Sequence, residues 1–119
     1  EVGWPAVTTK PDPLFAGTGP KLYAYNFHFD EVAAAPAEWE VIASSAECRL
    51  HGVKREGWPV VGLQFHPEVT VEEAVAGFRR ERDLLAAYGY EAEEIVAAGE
   101  ARAGYYPEIL RNFVKTYAP

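Results

Sequence analysis

The sequence has 119 residues, 49% of them hydrophobic and 13% aromatic, which excludes a disordered chain and predicts a single compact domain. Its formal net charge of −7 argues against a nucleic-acid or anionic-membrane partner, because neutralising phosphate groups requires a basic face. One cysteine excludes an internal disulfide and favours a reducing compartment, so we predict a cytoplasmic protein. No apolar run approaches the length of a membrane span, so no membrane-spanning segment is predicted.

The first half of the sequence is rich in predicted strands. Residues 1–9 are apolar and β-branched, and the prolines and glycines of "KPDPLFAGTGP" then predict a loop. In "KLYAYNFHFDEV", alternation places the aromatic side chains on one face, predicted to be core, and brings His28 and Asp30 to the strand's exit. Two more strand-like runs, "EVIASSAE" and "RLHGVKRE", precede "PVVGLQFHPE", where Pro67 ends the strand by His66 because proline cannot donate to a ladder. Four strands without intervening helices favour antiparallel or mixed pairing.

The second half indicates helices. Thr70 and Glu73 have capping-box spacing, and the helix that they begin is predicted to end near Gly89. A second helix is predicted over 91–103, and a third opens with Pro107 in its first turn. The apolar stripe of the first helix is Ala74, Val75, Phe78 and Leu85, and that of the third is Ile109, Leu110, Phe113, Val114 and Tyr117. Strands followed by helices predict an α/β or α+β protein.

The stretch "GLQFHPE" carries the pattern that suggests chemistry. His66 and Glu68 are two residues apart, and residues with this spacing on a strand share a face. A carboxylate there can accept the imidazole N–H, fix its tautomer and prepare it as an acid/base group. The alternative is an ordinary strand end with polar side chains in solvent.

Five segments in order favour the catalytic interpretation. They are "EVGWPAVTT", "PDPLFAG", "HFD", "ASSAEC" and "GLQFHPEVT". Together they resemble the C-terminal part of a class I, triad-type glutamine amidotransferase domain, over residue 1 to about residue 70. The sequence is similar to stand-alone proteins that look like the amidotransferase part of GMP synthase. The resemblance implies a flavodoxin-like α/β fold, here its C-terminal part with a mixed sheet and C-terminal helices.

The resemblance also implies a chemistry. In this family a cysteine thiolate attacks the side-chain amide of L-glutamine, giving a glutamyl thioester and ammonia. By matching positions, His66 would be the general base and Glu68 the acid that orients it. The segment His28-Phe29-Asp30 would lie beside the bound glutamine, although many family members have a small residue at the Phe29 position. The alternative for His28 and Asp30 is a hydrogen-bonding pair that shapes the loop.

The nucleophile of this family lies in a Gly-x-Cys-x-Gly elbow, which these 119 residues do not contain. Cys48, in "SSAECRL", has no glycine elbow, so a small, half-buried thiol is a better interpretation than a partner for His66. We therefore expect residues 1–119 to be the C-terminal portion of one domain, strand-rich over 1–69 and helical over 70–119. The missing N-terminal half would carry the cysteine, and this chain alone would be inactive.

The predicted function is glutamine hydrolysis with delivery of ammonia to an acceptor domain or subunit. Two alternatives stay open, a non-catalytic binding or regulatory module and a γ-glutamyl hydrolase of the same fold.

No cofactor is predicted. His28, Cys48, His51 and His66 contain the atoms of a zinc site, but no pair has the spacing of a known one, so no metal is predicted. The segment 71–104 is longer than the family's usual ending implies, which suggests an insertion that serves an interface.

Overall fold

A computed structural model describes residues 1–118 of the protein. The strands are β1 (Val2–Gly3), β2 (Val7–Thr9), β3 (Lys21–Leu22), β4 (Asn26–Phe27), β5 (Trp39–Ser44), β6 (Gly52–Arg55) and β7 (Val61–Leu63). The helices are α1 (Val71–Arg80), α2 (Arg82–Ala87), α3 (Ala92–Gly99) and α4 (Glu108–Tyr117), and a 3₁₀ turn covers Pro13–Phe15. None of the helices described is long and apolar enough to cross a bilayer.

The described strands form two sheets. The larger has five strands in the order β3-β2-β5-β6-β7, and β1 pairs with β4 in a separate two-stranded sheet. All of these pairs are antiparallel, which is one of the two kinds of pairing that the sequence favours. The long strand predicted over "KLYAYNFHFDEV" is interrupted between β3 and β4, so it serves both sheets.

Two apolar clusters form the core. The first lies between the larger sheet and α4, and its buried members are Val7, Leu14, Phe15, Leu22, Ala24, Ile42, Ala43, Phe65 and Ile109. The second lies between β1, β4 and the helices α1–α3, and its buried members are Trp4, Ala74, Phe78, Leu85, Ala92 and Val96. Burial of these side chains is the main source of stability, at roughly 1.5–3 kcal/mol for each large one.

The segment from β3 to β4 lies between these clusters. Leu22 and Ala24 belong to the first, whereas Tyr23, Tyr25 and Phe27 pack half-buried against the second. The aromatic face is therefore core, as predicted, but the opposite face is the more deeply buried one. The two-residue alternation of a strand explains how one segment can serve both clusters.

The capping box predicted for α1 is present. The Thr70 hydroxyl accepts from the backbone N–H of Glu73 at 3.1 Å, and the Glu73 carboxylate accepts from the backbone N–H of Thr70 at 2.9 Å. The helix predicted to continue to Gly89 breaks at Glu81, where α1 gives way to α2. Gly89 then turns the chain with a φ of 84°. No glycine or proline marks the break at Glu81, so the sequence pattern does not reveal it.

Helix α3 is shorter than its predicted range and lies against β1. At Gly99, an added Cβ would come within 2.2 Å of the Trp4 ring. Glycine is therefore required for this close approach, which packs the indole into the second cluster.

Helix α4 presents only part of its predicted stripe to the core. Ile109 is fully buried and Phe113 packs against the first cluster. Leu110 and Val114 are instead 45% and 60% exposed, which corrects the prediction that they face the core. The Asn112 side chain fastens the helix to the 3₁₀ turn, donating to two backbone carbonyls, those of Leu14 at 3.0 Å and Ala16 at 2.9 Å.

Candidate active site

His66 and Glu68 meet in a turn rather than on a strand. Strand β7 ends at Leu63, earlier than predicted, because the chain changes its pairing partner. The Gln64 N–H still donates to the carbonyl of His51 at 2.8 Å, but the His66 N–H donates to the carbonyl of Tyr25 at 2.9 Å. This change moves His66 from the larger sheet to the end of the segment that leads into β4.

The imidazole–carboxylate contact that the sequence predicts is present. His66 Nδ1 lies 2.9 Å from Glu68 Oε1, so a protonated Nδ1 donates to the carboxylate and leaves Nε2 with a free lone pair. The two side chains are 45% and 51% exposed, whereas Pro67 between them is buried. The buried proline fixes the turn while both functional groups remain accessible to another molecule.

Tyr25 supports this turn from the core side. Its ring lies 5.7 Å from the His66 ring and 5.1 Å from the Phe78 ring, measured between centroids. Burial raises the pKa of the Tyr25 phenol, so this hydroxyl stays protonated at neutral pH. The site is thereby attached to α1 through a packed aromatic pair.

The segment His28-Phe29-Asp30 follows β4 directly. The His28 ring contacts the backbone carbonyl of Asp30, with Nδ1 at 2.8 Å, rather than the Asp30 carboxylate, which is exposed. The Phe29 ring stacks on Tyr88 with centroids 3.8 Å apart and an interplanar angle of 8°. The turn between α2 and α3 therefore covers one side of the candidate substrate segment.

Cys48 lies apart from the His66 turn. Its side chain is 1% exposed, more buried than predicted, and its neighbours are Glu1, His28 and His51. Burial, and next the Glu1 carboxylate, raise the pKa of this thiol, which opposes formation of a thiolate. A buried, protonated thiol agrees with the interpretation of Cys48 as a residue other than the nucleophile.

The sequence suggests three members of the polar cluster around Cys48 as conceivable zinc ligands, but it does not predict that Glu1 joins His28, Cys48 and His51. Glu1 Oε2 lies 2.6 Å from His51 Nε2, and Glu1 Oε1 accepts from the Ser45 hydroxyl at 2.5 Å. Burial would raise the pKa of the Glu1 carboxyl, but these two hydrogen bonds bring it below its usual value. Burial lowers the pKa of His51, so the pair is a carboxylate beside a neutral imidazole. The only local signal in the sequence is the three-residue spacing of Cys48 and His51.

The described residues thus combine an α/β fold with an accessible imidazole–carboxylate pair. Residues 4–80 match the family Glutamine amidotransferase class-I, and this match includes His28, Cys48, His66 and Glu68. Because it covers more than half of the sequence, the chain belongs to the class I glutamine amidotransferase family.

Curated relatives show which members of the family the chain resembles in sequence. The chain is 43% identical over 58 residues to a glutamine-hydrolysing GMP synthase subunit of Methanothermobacter thermautotrophicus, covering 49% of the chain and 31% of the relative. It is 40% identical over 62 residues to the GMP synthase subunit of the same name from Pyrococcus abyssi, covering 52% of the chain and 33% of that relative. The chain thus spans about a third of the length of these curated relatives.

Solved structures show the same fold. A glutamine amidotransferase of Thermotoga maritima superposes with a TM-score of 0.70 at 20% identity, over 97% of this chain and 49% of that chain. A structure from Thermoplasma acidophilum, described as a candidate GMP synthase subunit, has a TM-score of 0.55 at 28% identity, over 75% of this chain and 46% of that one. The predicted fold class is confirmed.

Proposed function

We propose that His66 and Glu68 are two members of a Cys-His-Glu triad that hydrolyses the side-chain amide of L-glutamine. The observation that carries the proposal is the 2.9 Å contact between His66 Nδ1 and Glu68 Oε1 within the part of the chain that matches the family. The nucleophilic cysteine would come from a segment outside these 119 residues, since Cys48 is buried among other partners.

In the proposed reaction, His66 Nε2 takes the proton of the cysteine thiol. The thiolate attacks the side-chain amide carbon of glutamine, and the nitrogen leaves as ammonia after His66 returns the proton to it. Water then attacks the glutamyl thioester and His66 again moves the proton, which releases glutamate and regenerates the thiol. Glu68 holds the imidazole in the required tautomer and stabilises its charged form.

The exposure of the pair fits a triad that is completed by another segment. The side chains of His66 and Glu68 are about half exposed, so the pair is accessible to a cysteine from another segment. Proton transfer requires a heavy-atom distance of about 2.6–3.2 Å, which an apposed strand-to-helix elbow can provide.

The segment His28-Phe29-Asp30 is the proposed contact with glutamine. Its Asp30 carboxylate is exposed and not committed to His28, so it is free to accept from an α-ammonium group. Phe29 is held by Tyr88, which would fix the backbone beside the substrate. This role is supported by the position of the segment in the chain. His28 follows Tyr25 by three residues, and the backbone carbonyl of Tyr25 accepts from the N–H of His66.

The ammonia would pass to a partner subunit or domain. The curated relatives are named as glutamine-hydrolysing GMP synthase subunits, so a separate synthetase subunit is the proposed acceptor. Residues 1–119 would then be the C-terminal portion of the amidotransferase domain. Reducing cytoplasm remains the proposed location, because the chemistry needs a free thiol.

The first test is an intact mass of the protein as its organism produces it, followed by a glutaminase assay on the same material. A mass above 13.2 kDa, or a second polypeptide with a Gly-x-Cys-x-Gly elbow, together with glutamate release supports the proposal. Complete material that carries the elbow and releases no glutamate would contradict it and favour the non-catalytic module. Release from γ-glutamyl compounds in preference to glutamine would favour the γ-glutamyl hydrolase.

A further inference from the structure

Four side chains with metal-binding atoms converge beside the candidate substrate segment. One ligand atom from each lies within 4.8 Å of all the others, and the four residues are Glu1, His28, Cys48 and His51. Cys48 and His51 are 1% and 0% exposed, and His28 and Glu1 have side chains 13% and 7% exposed. His66, the third histidine of the chain, lies outside this cluster.

His28 has the arrangement of a metal-binding histidine. Its Nδ1 lies 2.8 Å from the Asp30 carbonyl, which requires a proton on Nδ1 and leaves Nε2 with a lone pair. Nε2 is buried without a hydrogen-bond partner and lies 3.9 Å from Glu1 Oε2. Metal-binding histidines typically donate their other ring N–H to a backbone carbonyl, which fixes ring orientation and tautomer.

His51 also has an unsatisfied nitrogen. Its ring packs edge-on to that of His28, with centroids 5.8 Å apart, and its Nδ1 is buried without a partner. Buried polar atoms rarely lack partners, because leaving one unsatisfied costs about 1–3 kcal/mol. The other nitrogen of His51, Nε2, is the one that lies 2.6 Å from Glu1 Oε2, so the cluster combines this imidazole with the unsatisfied Nε2 of His28 and a buried thiol.

The donor set selects one kind of ion. Imidazole nitrogen, thiolate sulfur and carboxylate oxygen are the three ligand types that bind the borderline-soft Zn²⁺ ion, and four such ligands complete a tetrahedron. A thiolate and a carboxylate also balance the charge of a divalent cation in a buried site. Tetrahedral zinc requires its ligand atoms about 3–4 Å apart, so small side-chain rotations are sufficient.

We propose that the chain binds one structural Zn²⁺ ion, with Glu1, His28, Cys48 and His51 as its four ligands. The ion would join three separate segments, namely the start of β1, the end of β4 and the loop before β6. It would thereby fix the candidate substrate segment through His28, in addition to the stacking of Phe29 on Tyr88. A cavity of about 220 Å³ that Glu1, His28, Glu31 and Glu47 help to line provides a path for entry.

The test is a titration of the chelator-treated 119-residue chain with Zn²⁺ by calorimetry and with Co²⁺ by absorbance. We expect one ion per chain, a rise in the midpoint of thermal unfolding, and the intense near-ultraviolet band of cobalt–thiolate charge transfer. Cys48→Ser and His51→Gln should each weaken binding by at least ~100-fold, since even residues behind the ligands contribute 10–100-fold. His66→Gln is the matched control and should bind as the original chain does.

Weak binding of several ions, or none, would overturn the proposal and leave the cluster as a hydrogen-bonded network. Unchanged binding by a folded Cys48→Ser chain, or a loss of binding in His66→Gln, would overturn it as well. If Cys48→Ser does not fold by circular dichroism, the charge-transfer band of the original chain decides the question. The measurement is independent of glutaminase activity, so its result does not depend on the proposed function.

Discussion

At the scale of single residues, the His66 imidazole depends on one carboxylate for its orientation. We predict that Glu68→Gln in the protein that contains the complete domain lowers kcat for glutamine hydrolysis by about 10²–10⁴-fold with little change in KM. His66→Ala should reduce kcat by on the order of 10⁶, as expected when a triad loses its base. Both are measured as glutamate release under saturating glutamine.

The matched control for this prediction is Glu72→Gln. Glu72 is an exposed carboxylate in the first turn of α1, only four positions after Glu68, and it makes none of the hydrogen bonds described for the site. It should retain full activity. Equal activity of Glu68→Gln and the control would rule out an orienting role for Glu68.

The buried His51 makes stability depend on pH. Burial, partly offset by the hydrogen bond with Glu1, holds the pKa of His51 below its ordinary 6.5. The unfolded chain therefore binds more protons than the folded chain as the pH falls through about 6.5, and the free energy of unfolding decreases. For the metal-free chain we expect a lower urea midpoint at about pH 5.5 than at about pH 7.5. His51→Gln should flatten this difference and His66→Gln should not; an equal slope in all three chains would show that His51 is not responsible.

At the scale of elements, the turn between α2 and α3 attaches the helical segment to the candidate substrate segment through Phe29 and Tyr88. Aromatic pairs of this kind contribute about 0.5–1.5 kcal/mol beyond the area that they bury. We predict that Tyr88→Ala accelerates amide hydrogen exchange at residues 28–30 without altering exchange in β5. Tyr105→Ala, a change at a similarly exposed tyrosine outside this turn, is the control. Unchanged exchange at residues 28–30 in Tyr88→Ala would mean that the stacking does not order this segment.

The packing of α1 and α3 also bears on the hypothesis that segment 71–104 serves an interface. Phe78 contacts the Trp4 and Phe27 rings, at 5.3 Å and 5.8 Å between centroids. The inner face of the segment thus covers the chain's own strands, and deleting the segment would expose Trp4. The interface hypothesis stays a prediction that concerns the outer face alone.

Local sequence patterns predict helices and strands better than they predict which other parts of the chain pack against them. The Thr70 capping box is a contact between near neighbours, so the sequence contains the whole of it. The apolar stripe of α4 is equally clear, yet Leu110 and Val114 are exposed because nothing in the described chain packs against that side. The break at Glu81 has no local signal, since no glycine or proline marks it; the buried side chains of Phe78 and Leu85 on either side of it belong to the same cluster.

At the scale of the whole molecule, unpaired strand edges make the chain prone to self-association. Strand β7 is the last strand of the larger sheet, and the neighbouring Val60 and Trp58 are 41% and 57% exposed. Edges of this kind pair with other chains unless charge or cover prevents it. We predict concentration-dependent association by analytical ultracentrifugation that Val60→Lys reduces.

The control for this prediction is Val114→Lys. Val114 is an apolar residue at least as exposed as Val60, but it lies on α4, away from the strand edge. Association that persists in Val60→Lys and disappears in Val114→Lys would assign the contact to the helix instead.

The site could be predicted only as far as its residues are neighbours in the sequence. His66 and Glu68 are two positions apart, and their contact was predicted even though a turn, not a strand, creates it. The cluster of Glu1 and His51 joins residues fifty positions apart, and spacing rules have no information on such pairs. Similarity to a family predicts the order of the motifs along the chain, but it does not predict which buried atoms lack a hydrogen-bond partner.

The double hydrogen bond from Asn112 has a consequence for biosynthesis. The carbonyls that it binds belong to Leu14 and Ala16, which are 98 and 96 positions earlier in the chain. At a translation rate of about 5–20 residues per second, that loop emerges about 5–20 s before the helix that fixes it exists. During this interval Leu14 and Phe15, which α4 later covers, remain accessible to chaperones, so the synthesis of α4 controls when this loop is buried.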